Sequence, residues 1–336
     1  MRLKRISIFV VIVAVITAVF TPAASAANDT AQRVPVLMYH SVLGEKYYAS
    51  NADNPWILSE ENFAAQMKYL KDNGYSTITT EQLTGFLFDK KDLPEKAVML
   101  TFDDAYLDSA VFVYPILKEY SFTGVVFAIT SFITATAGTL KAYPLQYMST
   151  DDMKNTADVF EFGSHSDNMH YLDKGVPRMA RASKAEIKAD LEKSFEYPLT
   201  FKNGFAYPYG KYNDLIKTAL KEEGIRFAFT TNEGYVYRTS APLSLNRFFI
   251  SGDMGIGKFT EIVSGGRTGP SAATGAGTVR TVGVTALNVR SGAGTKYKVV
   301  GVVRVGDTVS VLATTGSWSK ISWQGGAAYV YSEYLK

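Results

Sequence analysis

Residues Phe160–Asp173 read FEFGSHSDNMHYLD and hold two of the chain's three histidines, His165 and His170. Five steps along a helix would leave the two side chains roughly 140° apart, and an odd spacing on a strand sends them to opposite faces. Neither regular element lets the imidazoles meet. The residues around them point to a third arrangement. Asp167 and Asn168 are turn formers, and the apolar run VFEFGSH (159–165) has the character of a buried strand. His165 then ends the strand, a bend follows, and His170 turns back toward it. Functional side chains at the C-terminal end of a strand are typical of parallel α/β folds.

The rest of the first three quarters of the chain supports that class. Further strand candidates are VPVLMYH (34–40), AVMLTF (97–102), GVVFAIT (124–130), GFAYP (204–208), FAFTT (227–231) and NRFFIS (246–251). Helical patterns lie between them. Phe63, Met67 and Leu70 recur at helical spacing behind Ser59, Glu60 and Glu61, which suit a helix start. SKAE (183–186) and STDD (149–152) read as capping boxes, and YNDLIKTALKEEG (212–224) ends on a glycine suited to a C-cap. The βαβα rhythm predicts a mostly parallel sheet covered by helices, and pattern alone leaves open whether it stays open or closes into a barrel.

The texture changes near Ser264. Residues 264–276 are small and nearly uncharged, as a flexible linker should be. From about Gly277 to Lys336 the chain is rich in Val, Thr, Tyr and Trp with glycine-containing turns, the pattern of a small all-β module. At the other end, Arg2, Lys4 and Arg5 precede the apolar run ISIFVVIVAVITAVF (6–20) and the small residues Ala24-Ser25-Ala26. This predicts a secretory signal over residues 1–26, cleaved before Ala27, and an exported protein with no membrane span after cleavage.

Composition narrows the chemistry. With 35 basic and 32 acidic residues the formal charge is only +3, too small to imply nucleic acid as a partner. There is no cysteine, so disulfides and thiolate metal ligands are excluded and any metal must sit on His, Asp or Glu. A second strand, AVMLTFDD (97–104), closes on Asp103 and Asp104. Buried adjacent carboxylates are costly unless compensated, and their alternating direction gives them different surroundings. Two histidines and one aspartate can hold a divalent metal with a position left open, and the remaining aspartate can serve as a base. On its own, the pair of aspartates is also an ordinary turn or cap feature.

TFDDAY (101–106), HSDNMH (165–170) and AYPYG (206–210), in that order, resemble the polysaccharide deacetylase (NodB-homology) family, the fourth family of carbohydrate esterases. The resemblance spans about residues 34–257, within a catalytic domain expected over 34–263. PVLMYHSV (35–42) and the five-residue histidine spacing are most similar to its poly-N-acetylglucosamine deacetylase branch. The resemblance implies a distorted (β/α) barrel with fewer than eight strands. It implies Asp104, His165 and His170 as ligands of one divalent metal, zinc foremost and cobalt or nickel as alternatives, and Asp103 as the base. It also implies that the backbone N–H of Tyr209 holds the oxyanion, with Pro208 and Tyr209 against the substrate.

Three departures stand out. Ala105 occupies the glycine position of the usual TFDDG, and Ala206 stands where many members place an arginine that holds the base. Arg247 is the candidate replacement. No histidine follows His170, so the late Leu-x-His motif that commonly supplies the acid is missing, and His40 becomes the candidate general acid or substrate-orienting group. The tail, with LNVRSG (287–292) and Trp318, resembles the bacterial SH3-like domain, which commonly accompanies cell-wall enzymes. Together these imply a secreted, wall-associated N-deacetylase acting on an acetylated glycan, either poly-N-acetylglucosamine or peptidoglycan. The alternatives are an O-acetyl esterase on a glycan and an inactive wall-binding protein.

Overall fold

The computed structural model describes residues 31–265, apart from 137, 142–144 and 198, and residues 278–336, apart from 306, 324 and 325. The expected leader (1–26) and nearly all of the expected linker (264–276) lie outside the described residues. The main sheet contains β1 (Val36–Tyr39), β2 (Ser76–Thr77), β3 (Ala97–Asp104), β4 (Gly124–Ala128), β5 (Phe160–Ser164), β6 (Thr200–Ala206), β7 (Phe227–Phe229) and β8 (Phe248–Phe249). Seven of them run in the order β7-β6-β5-β4-β3-β1-β8, and β2 pairs with the first residues of β3. Every pairing is parallel. The strand absent from the sequence reading is β2, whose two residues are too few to show a period.

The sheet curls back on itself. Leu245, just ahead of β8, forms a parallel bridge with Phe229 of β7. Its amide donates to Ala228 O at 2.9 Å, and the amide of Thr230 donates to Leu245 O at 2.9 Å. The segment entering β8 thus joins the two ends of the sheet. The result is the distorted barrel expected above, its wall built of seven strands with the two-residue β2 set beside β3.

Helices wrap the outside: α1 (Glu60–Asp72), α2 (Thr80–Phe88), α3 (Tyr114–Tyr120), α4 (Thr150–Asn155), α5 (Lys184–Glu196), α6 (Asp214–Glu222) and α7 (Ile256–Ser264). Ser59 caps α1, and Ser149 and Ser183 form capping boxes with Asp152 and Glu186 at α4 and α5. Each cap satisfies amides that the first helical turn leaves without partners.

Alternation along β3 divides the core in two. Val98, Leu100 and Phe102 pack with Phe63, Met67 and Leu70 of α1. Ala97 and Met99 face the other way, among Val36, Phe127, Phe227 and Phe229, which fill the barrel interior. Each such large side chain stabilises the fold by about 1.5–3 kcal/mol on burial. Thr101 and Asp103 continue the inward row, so the first acidic residue of the pair enters the barrel.

The C-terminal module is an antiparallel six-stranded sheet of β9 (Thr278–Thr281), β10 (Ala286–Arg290), β11 (Val299–Arg304), β12 (Thr308–Thr315), β13 (Trp318–Trp323) and β14 (Gly326–Tyr331), in the order β9-β12-β13-β14-β10-β11. Leu287, Val289, Val303, Val309, Ile321 and Val330 form its core. Among the described residues no helix is long and apolar enough to cross a membrane.

Candidate active site

All the sequence-predicted site residues except Pro208 contribute to one cluster at the C-terminal ends of the barrel strands; Pro208 lies beside it in the turn that carries Tyr209. β3 supplies the two carboxylates. Asp103 keeps the inward direction of its strand. Asp104 and Ala105 then both take left-handed backbone angles, with φ of 72° and 59°, and this sharp change of course turns Asp104 toward the histidines. Left-handed backbone costs a non-glycine residue about 1–2 kcal/mol, which gives the physical reason for glycine at the Ala105 position elsewhere in the resemblance.

Asp103 is paired with Arg247, and both are buried. The guanidinium donates from Nη1 to Oδ1 and from Nη2 to Oδ2, each at 2.7 Å. It also donates from Nε to Thr230 O at 3.0 Å and from Nη1 to Thr101 Oγ1 at 3.2 Å. Arg247 arrives on the segment that closes the barrel, one residue before β8. Burial alone would raise the pKa of Asp103, but the Arg247 charge and its hydrogen bonds overturn this and hold the carboxyl well below the usual range. Asp103 is therefore an oriented carboxylate.

His165 follows β5, and its amide continues the sheet by donating to Ala128 O at 2.8 Å. Its Nδ1 lies 2.7 Å from Ala206 O. A carbonyl only accepts, so Nδ1 carries the proton and Nε2 presents a lone pair. Burial pushes the imidazole pKa down to about 3, so the ring is neutral at neutral pH. His170 comes back after the bend, its ring centroid 4.7 Å from that of His165. Burial lowers its pKa as well.

Both Nε2 atoms lie 3.6 Å from Asp104 Oδ1. That oxygen is buried and has no hydrogen-bond partner, while a hydrogen bond from Tyr106 serves the carboxylate. Burial, with Asp103 beside it, raises the Asp104 pKa to about 6. Three ligand atoms, two of them neutral imidazole nitrogens and one an unsatisfied carboxylate oxygen, converge within 4.8 Å of one another. This donor set fits a divalent cation with nitrogen and oxygen preferences.

The remaining groups ring this cluster. Tyr209 has φ of 56° and stacks on His170 at 4.5 Å between ring centroids. Pro208, buried, opens the same turn. His40 follows β1, and its ring packs against Trp56 at 4.6 Å. Its Nδ1 is buried without a hydrogen-bond partner. Burial lowers its pKa, opposed by the charges of Asp104 and Asp103, so the resting ring is neutral. Trp56 is 47% exposed beside it and also touches Phe249.

Sequence reasoning missed Tyr106, Thr101, Trp56 and Asp190. Tyr106 directly follows the two acids, and Thr101 shares their strand parity, so both carried a local signal. Trp56 carried none. Asp190 is a buried acid on the same face of α5 as Ile187, Leu191 and Ser194, and an acidic residue inside an apolar helical stripe is a signal that could have found it.

Residues 90–228 match the family model described as polysaccharide deacetylase, and residues 285–336 match that of the bacterial SH3 domain. The chain carries a polysaccharide deacetylase domain and a bacterial SH3 domain. The Bacillus subtilis protein YxkH, assigned by name to the polysaccharide deacetylases, is 28% identical over 223 residues, covering 66% of this chain and 73% of its own. The poly-beta-1,6-N-acetyl-D-glucosamine N-deacetylase of Staphylococcus epidermidis is 28% identical over 209 residues, covering 59% and 69%. Among solved structures, the Streptococcus pyogenes deacetylase PplD in complex with acetate is 28% identical with a TM-score of 0.57, covering 67% of this chain and 95% of that one. The deacetylase fold surrounding the site matches the cleavage of a carbon–nitrogen bond other than a peptide bond.

Proposed function

We propose that this deacetylase is a metal-dependent enzyme that removes acetyl groups from N-acetylglucosamine units of poly-N-acetylglucosamine outside the cell. The observation that carries the reading is the pairing of two differently treated carboxylates: Asp103 locked on Arg247, and Asp104 facing His165 and His170. The Staphylococcus epidermidis relative and the histidine spacing favour this glycan over peptidoglycan.

A divalent metal on Asp104, His165 and His170, zinc foremost, supplies Lewis acidity toward a carbonyl oxygen and lowers the pKa of water. The chain's own residues do the rest. Asp103, ionised and oriented by Arg247, accepts a proton from the attacking water. The Tyr209 amide donates to the oxygen of the tetrahedral acetamide carbon, with Pro208 against the sugar. As the C–N bond breaks, the departing amine takes up the proton removed from water, and His40, neutral at rest, relays it. The products are acetate and a glucosamine unit. Trp56 and Tyr209 offer exposed aromatic faces for the sugar rings. A cleaved leader would place the enzyme outside the cell, and the bacterial SH3 domain would hold it at wall polymer and so raise its effective concentration there.

Acetate release is the test. Poly-N-acetylglucosamine fragments, peptidoglycan and O-acetylated xylan would be compared with and without chelation. Faster release from the first, lost on chelation and restored by zinc, supports the reading. Release from xylan alone would make the protein an O-acetyl esterase. No release from any substrate at full metal occupancy would make it a wall-binding protein without activity.

A further inference from the structure

The bend between the two histidines is held from outside by a residue that touches neither of them. Asp190, buried on α5, accepts the amide of Asp167 on Oδ1 at 2.9 Å and the amide of Asn168 on Oδ2 at 2.8 Å. Both oxygens of one carboxylate are thus spent on consecutive backbone N–H groups at the apex of the loop. Other bonds fix the loop's flanks. Ser164 Oγ accepts from the Ser166 amide at 3.1 Å and lies 2.8 Å from Ser194 Oγ on the same helix. Thr130 Oγ1 donates to Asp167 Oδ1 at 2.8 Å. Ser166 has φ of 76°, a conformation that isolated serine disfavours and that these contacts hold.

We propose that Asp190 is a positioning residue for the metal ligands: by holding the loop apex it sets the approach of His170 to His165 and Asp104. The inference rests on the reading of those three residues as a metal site. The logic is electrostatic and geometric. Hydrogen bonds with a charged partner are shorter and about twice as strong as neutral ones, and a carboxylate held on a helix cannot follow a drifting loop. Without it, His165 stays fixed by the sheet and by Ala206 O, whereas His170 has lost the anchor of its approach. A cavity of about 250 Å³ beside Asp190, lined in part by Arg178, Glu186 and Lys193, gives water access to the freed amides. Truncation should therefore loosen the loop more than it unfolds the domain.

The test measures zinc affinity of the full chain by competition with a chromophoric chelator, for wild type, Asp190→Ala, Asp190→Asn and His170→Ala. Thermal unfolding in chelator runs alongside. Asp190→Ala should weaken zinc by about 10–100-fold while the metal-free unfolding midpoint moves little. Asp190→Asn should fall between it and wild type, because one carboxamide oxygen still accepts one amide. The visible spectrum of the cobalt-loaded protein should change in Asp190→Ala. If Asp190→Ala fails to fold, Asp190→Asn carries the comparison. Wild-type affinity and an unchanged cobalt spectrum in a folded Asp190 variant would overturn the proposal. If His170→Ala binds zinc as well as wild type, the metal reading itself fails, and the Asp190 role fails with it.

Discussion

Arg247 and Asp103 stand 144 positions apart in the chain and meet in a two-point ion pair inside the barrel. The alanine at position 206 leaves the arginine position of the family pattern without a charge, and the segment that closes the barrel delivers one from another direction. The carboxylate is held, and the element that holds it also holds the sheet together.

Arg247→Met should be the most damaging single change in the barrel. It leaves Asp103 buried without its partner, at a cost of about 3–5 kcal/mol. The pair depresses the folded pKa of Asp103 below its unfolded value. The stability it contributes is therefore present above the unfolded pKa and is lost as pH falls through the folded one. Arg247→Lys, which keeps charge but loses the fork, should fold and show an acid limb of its pH–rate profile displaced to higher pH. Acetate release from pH 4 to 9 and denaturant unfolding would check both.

Asp103→Asn preserves shape and removes the proton acceptor. Acetate release should fall by about 10²–10⁴, with zinc content by elemental analysis unchanged. Near wild-type turnover in this variant would assign the base elsewhere.

Metal uptake should depend on pH through Asp104. Its metal-free pKa stands near 6 because of burial and the adjacent Asp103, so protons compete with the cation below that value. Zinc affinity should rise from pH 5 to pH 7 and level off above, as read by titration at fixed ionic strength. Chelation should abolish acetate release at every pH, and added zinc should restore it.

Asp108 provides a pH signature of stability apart from turnover. It is buried, accepts from Ser41 Oγ at 2.7 Å and from the Val42 amide at 3.1 Å, and burial raises its pKa to about 7. A carboxyl with a raised folded pKa loses stability as pH climbs from its unfolded value toward its folded one, because only the unfolded chain ionises freely. Asp108→Asn should remove that loss. Between pH 5 and 7 the wild type should weaken by about 2 kcal/mol relative to the variant, measured as the difference in unfolding free energy.

Local physics carried much of this molecule into view. Seven of the main strands, the capping boxes at Ser149 and Ser183, and the bend between His165 and His170 follow from side-chain period and turn chemistry, which act over a few residues. The alternation that sends Asp103 inward is equally local. The two-residue strand at Ser76 was too short to have a period, and nothing around Trp56 marks it as a neighbour of His40.

The amino-acid order thus determined the parallel α/β class, the cysteine-free ligand set and the all-β tail. Tertiary structure alone decided which arginine answers Asp103, that one oxygen of Asp104 is left for the two imidazoles, and that Asp190 grips the loop between them. These relationships depend on how the sheet closes. Closure is a property of backbone hydrogen bonds such as those between Leu245 and β7, which leave no mark in side-chain pattern.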